Sequence, residues 1–192
     1  MKKFLSMTLP MFILILSSCS SNKMSSLAEL PRITKTEAQV KLKELSTGLE
    51  VYYDDMKGFT LCRCHYAIDE NIVIVPYVLV YNDYSVSLCY HVLYSGREPL
   101  HFDTLYIKTP EGVKYFKYKD VSILYGHVAV EEYHGKMSNE VYETLKIAVN
   151  SGYAKLRLEG QQMSERELTR NELIGFDKVF SIYEYFNSVK VY

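Results

Sequence analysis

Residues 71–94 read NIVIVPYVLVYNDYSVSLCYHVLY, and they decide the fold class. Two runs of Val, Ile, Leu and Tyr, side chains that fit a pleated and half-buried surface, flank Tyr81-Asn82-Asp83-Tyr84. Asn and Asp accept the backbone of a tight turn, so the stretch reads as two strands joined by a hairpin. Pro76 has no backbone N–H, so the first run is expected as an edge strand, a bulged strand or two short strands. In the second run, period-two alternation turns Val86, Leu88, Tyr90 and Val92 inward. It leaves Ser87, Cys89 and His91 on the opposite, exposed face.

The same grammar spreads in both directions. From Leu49 to about Tyr133, Val-, Ile-, Tyr- and Thr-rich runs alternate with DDMKG, DEN, ND, GREP, TPEG and YG, which predicts a β meander with a second tight turn at Pro110 to Gly112. Helical signals flank it. Thr34 with Glu37 spells a capping box ahead of Val40, Leu42 and Leu45, with Gly48 as a stop, which predicts a short helix over about 35–46. Ser138 or Asn139 caps a second helix carrying Val141, Leu145, Ala148 and Val149 on one face and ending at Ser151 and Gly152. The strand YAKLRLEG (153–160) follows. A second capping box, Thr169 with Glu172, then opens a helix whose Leu173, Phe176, Val179, Phe180, Tyr183 and Phe186 make a broad apolar face. The fold class is therefore α+β: mainly an antiparallel β-sandwich or meander, with a short N-terminal helix and two helices in the C-terminal region.

At 192 residues and 48% hydrophobic content, the chain suits one domain with a real core, assigned to residues 32–192. A net charge of -1 with no basic cluster argues against nucleic acid as a partner, because phosphate binding needs concentrated Lys and Arg. The 18 tyrosines, with Trp absent, fit a β-rich surface.

The first residues have a different logic. Lys2 and Lys3 precede an apolar run from Phe4 to Leu16, then small residues, the layout of a secretion signal. The run contains Pro10 and is too short to cross a bilayer as a helix, which needs roughly 20 residues. Leu16-Ser17-Ser18-Cys19 resembles the lipobox of bacterial lipoproteins. The resemblance implies removal of residues 1–18, lipidation of Cys19 and an extracytoplasmic domain anchored to the cell membrane or outer membrane. Residues 19–31, Ser-rich and aperiodic, read as the flexible tether between lipid and domain. The run from Tyr153 to Phe186 loosely resembles the ending of small envelope lipoproteins with a β-sandwich domain, a likeness that carries no activity with it.

FTLCRCHY (59–66) raises the question of metal or redox chemistry. On a strand, Thr60, Cys62, Cys64, Tyr66 and Ile68 share one face, while Leu61, Arg63, His65 and Ala67 share the other. Zinc ligands must converge within about 2.0–2.3 Å of one ion, and the adjacent Cys64 and His65 point apart. Same-face neighbours lie about 6.6 Å apart along a strand, too far for a Cys62–Cys64 disulfide, whereas a bridge from Cys89 to either stays open. Cys62 and Cys64 read as buried thiols. His101 and Asp103 read as a strand-face pair, and Glu131, Glu132, Tyr133 and His134 as a solvated loop before a helix. No catalytic residue, metal ligand or cofactor is assigned, and Cys19 is the one site residue, as the lipidation site. The expected function is a membrane-anchored envelope lipoprotein with a non-catalytic binding or structural role and an envelope protein or glycan as partner. The alternatives are an extracytoplasmic metal-dependent hydrolase using His65, His91, His101 and Asp103, and an inhibitor or immunity protein acting on an envelope enzyme.

Overall fold

The computed structural model describes residues 29–65 and 71–192. The signal-like segment, Cys19, most of the tether, and Tyr66 and Ile68 lie outside the described residues. In chain order the elements are β1 (Arg32–Ile33), α1 (Lys35–Leu45), β2 (Glu50–Asp54), β3 (Phe59–Arg63), β4 (Ile72–Tyr81) and β5 (Val86–Gly96). They continue with β6 (Thr104–Thr109), β7 (Gly112–Lys117), β8 (Ser122–Tyr125) and β9 (Ala129–Lys136). The last are α2 (Asn139–Ser151), β10 (Lys155–Glu159), β11 (Met163–Glu167), α3 (Arg170–Asn187) and β12 (Lys190–Val191).

Both capping boxes form. The Glu37 N–H donates to Thr34 Oγ1 while the Thr34 N–H donates to Glu37 Oε2, and Thr169 and Glu172 repeat the exchange. Ser138, rather than Asn139, caps α2, and Gly152 ends it in the left-handed region at φ 69°. On α1 the deeply buried residue is Ala38, while Val40 is exposed, so the predicted stripe is rotated toward Ala38, Leu42 and Leu45.

The fold is α+β with two large antiparallel sheets, ordered β2-β3-β4-β5-β9-β8 and β11-β10-β6-β7, plus a two-stranded parallel pair of β1 with β12. The first four strands of the larger sheet are the predicted meander. After β5, however, the chain leaves for β6 and β7 in the second sheet and returns through β8 and β9, so the meander does not run unbroken to Tyr133. The physical cause is burial: Leu105, Ile107, Leu156 and Leu158 are fully buried and pair across β6 and β10. SERELT, left without an element by the sequence reading, supplies most of β11, where Lys155 faces Glu167 and Arg157 faces Glu165.

Pro76 sits inside β4, a single ten-residue strand at the centre of the sheet, not at an edge. The sheet tolerates it because the β3–β4 ladder ends at the Arg63–Tyr77 pair, so Pro76 lies one residue beyond the last rung on that flank.

One core joins the inner faces of both sheets with α2 and α3. α3 lies on the larger sheet so closely that a Cβ added at Gly175 would stand 2.6 Å from Cys64 Cβ. This fixes the face holding Cys62 and Cys64 as the inner one, and both are buried. Arg166 of β11, itself shielded, forks onto Glu172 of α3 at 2.5 and 2.9 Å and also donates to the Ile72 carbonyl of β4, so it bolts both sheets to the helix.

Candidate functional site

The outer face of the larger sheet carries its chemistry in rows. Glu50, Arg63, Tyr77, Cys89 and Lys136 are successive cross-strand partners from β2 to β9. The next row along holds Val75, His91 and His134, and the one after it Val73, Leu93, Glu132 and Ser122. Because side chains alternate, Glu132, His134 and Lys136 all emerge on this face of β9.

His91 and His134 are direct partners in the β5–β9 ladder, and their rings stack with centroids 3.8 Å apart and planes at 16°. Glu132 closes the group: its Oε2 lies 3.4 Å from His91 Nε2 and 3.5 Å from His134 Nε2. Burial is graded, with side-chain exposures of 6% for His91, 29% for Glu132 and 52% for His134. Burial first, and then the neighbouring His134, push the His91 pKa down to about 4 against the pull of Glu132, so its imidazole is neutral near pH 7. Among the described residues this is the one group of three or more His, Cys, Asp or Glu side chains with the spacing to hold a metal ion.

Two expectations are corrected here. His91 is buried rather than exposed and Cys89 is half-buried, because β9 covers a second flank of β5 and makes it an interior strand. Residues 131–134 form no solvated loop but the middle of β9. Glu131, on the inner face, is fully buried and accepts the backbone N–H groups of His101 and Phe102 at 2.9 and 2.8 Å.

The residues singled out for hydrolase chemistry are not brought together. His65 follows β3, with Nδ1 3.0 Å from Glu50 Oε1, whose Oε2 accepts from Arg63 Nε at 2.6 Å. His101 and Asp103 precede β6 instead of sharing a strand face; His101 takes a left-handed φ of 53°, and the Asp103 carboxylate accepts from the Thr104 hydroxyl. Cys64 and His65 border a cleft of about 420 Å³ at the start of α3, with Glu172 and Lys178. Burial pushes the Cys64 thiol up to about 12, which removes the thiolate a nucleophile or redox centre requires. Cys62, Cys64 and Cys89 are all free thiols.

Glu132 and His134 were missed as a site. Their one local signal is the Glu-x-His spacing, which puts both on one face of a strand; the partner His91 is 41 residues earlier than Glu132 and is supplied by sheet register alone.

The sheet edges form a second candidate surface. Among the described residues β2 pairs only with β3, and its Val51, Tyr52 and Tyr53 are all more than half exposed. A cleft opens on either side of this strand, one lined by Tyr52, Leu61 and Arg63, the other by Tyr53, Thr60 and Gln39. Comparison with protein-family models, with curated proteins and with solved structures finds no match for the chain.

Proposed function

We propose that the protein is a lipid-anchored, extracytoplasmic binding module, held to the membrane through Cys19 and a tether over residues 19–31, that docks an envelope protein along β2. The observation that carries the binding reading is the β2 edge, where Val51, Tyr52 and Tyr53 are exposed on a strand with one described neighbour. An extended segment of a partner can add to such an edge through main-chain hydrogen bonds, with its alternate side chains entering the clefts on either face. Tyr supplies large, amphipathic contact area at low entropic cost, which suits a binding surface. The anchor rests on the order of Lys2 and Lys3, the apolar run and Leu16-Ser17-Ser18-Cys19.

Two measurements test the two halves. Cys19→Ala should abolish lipid labelling and leave the full-length precursor in the membrane fraction, and normal processing of that variant would overturn the anchor. Photo-crosslinking residues placed at Tyr52 and Tyr53 in native cells should trap one defined envelope protein that a residue at exposed Lys117 does not. Equal products from all three positions, or a glycan in place of a protein, would overturn docking at β2.

A further inference from the structure

We propose that His91, Glu132 and His134 form a zinc-binding site on the outer face of the larger sheet. Three observations converge on it. The first is donor type: two imidazole nitrogens and one carboxylate oxygen are a set that zinc accepts. The second is spacing. Two donors on a tetrahedral zinc with bonds of about 2.1 Å stand about 3.4 Å apart. The two separations from Glu132 Oε2, 3.4 Å to His91 and 3.5 Å to His134, match that edge, and a turn of His134, the more exposed ring, brings the in-plane lone pairs of the stacked imidazoles onto one ion. The third is rigidity. All three side chains stand on paired strands in the interior of a six-stranded sheet, where register rather than loop conformation sets their positions.

Charge is consistent with a cation. Glu132 supplies a negatively charged oxygen beside both imidazoles. Of the cations on this face, Arg63 is engaged by Glu50 at 2.6 Å, and Lys136 stands opposite Cys89, one row from the His91–His134 pair. Graded exposure gives the ion a route: His134 meets solvent while His91 forms the floor. Three protein ligands leave a coordination position for water or for a donor group of a bound partner, the pattern of open rather than purely structural zinc sites. The site lies on β5 and β9 and does not depend on the β2 docking reading.

The test uses the full-length protein in detergent, stripped with a chelator and titrated with zinc alone against a chromophoric competitor. One zinc per chain is expected, together with a melting temperature raised by zinc. Removing a supporting group around a metal already costs about 10–100-fold in affinity, so Glu132→Gln and His134→Ala, which remove ligands, should each weaken binding by at least about 100-fold. Both lie toward solvent and should melt like the parent without metal, which separates ligand loss from misfolding. Cys89→Ser should bind as the parent does. Absence of stoichiometric binding, or binding unchanged in both ligand variants, would overturn the site. Loss of zinc in Cys89→Ser would also overturn it, by moving the ligand set to the thiol.

Discussion

Three thiols show how little of a side chain's chemistry is local. Cys62 and Cys64 face inward as alternation predicts, and burial pushes their pKa values up to about 11 and about 12. Cys89 is half-buried, and burial raises its pKa despite a hydrogen bond with Tyr77. The thiolate is the reactive form, so an alkylating reagent at mildly alkaline pH should modify all three slowly in the native chain, Cys89 fastest, and all quickly in denaturant. Mass spectrometry of timed samples checks the order, and native Cys62 reacting at its denatured rate would contradict its burial. Glu131 and Glu132 make the same point in adjacent positions. One is sealed inside against the backbone of His101 and Phe102, the other faces the two histidines, and only the strand pleat separates those roles.

At the scale of elements, α3 has the clearest sequence signature and the least predictable contact. Its capping box and apolar face announce a helix, and Leu173, Phe176, Val179, Phe180 and Phe186 are buried as expected, with Ile182 added. Nothing in that pattern explains Gly175 in the helix interior, where Ala would ordinarily be better by about 1 kcal/mol. Closeness to β3 explains it, because the added Cβ would meet Cys64 Cβ at 2.6 Å and a backbone-proximal atom cannot swing aside. Gly175→Ala should therefore destabilise the domain by about 1–3 kcal/mol, an overpacking cost that outweighs the propensity gain. Urea unfolding of the two proteins checks the sign, and a more stable variant would show that α3 sits farther from the sheet. Strand β4 makes the complementary case: Pro76 argued for an edge, a bulge or two short strands, and the early end of the β3–β4 ladder made the centre acceptable.

For the whole molecule, Arg166 is the residue on which the relation of sheets to helix depends. It joins β11, β4 and the first turn of α3, and with Glu172 it forms a shielded ion pair. Removing one partner of such a pair leaves a buried charge uncompensated, so Arg166→Ala should cost about 3–5 kcal/mol. Burial pushes the Glu172 carboxyl up, but the Arg166 guanidinium and the Thr169 cap outweigh it, and the net pKa lies below the ordinary 4.5. A depressed carboxylate stabilises the fold above its unfolded pKa and loses that contribution as pH falls through its folded value. The parent should therefore weaken on acidification below about pH 4.5, and its advantage over Arg166→Ala should shrink there. Unfolding curves at neutral pH and near pH 3 measure both quantities; a constant gap would show that the pair does not set the difference.

Residue pattern alone specifies the α+β class, both capping boxes, the three described helices, the hairpins at Tyr81–Tyr84 and Pro110–Gly112, and the burial of Cys62 and Cys64. These are short-range matters, settled by turn chemistry, caps and the periods of helix and strand within about ten residues. Tertiary structure decided that the chain divides its strands between two sheets, that Pro76 lies in a central strand, that His91 is covered, and that His91 meets Glu132 and His134. Each of these depends on which strand pairs with which and in what register. Register is fixed by burial summed over a whole sheet face, not by any one run of residues.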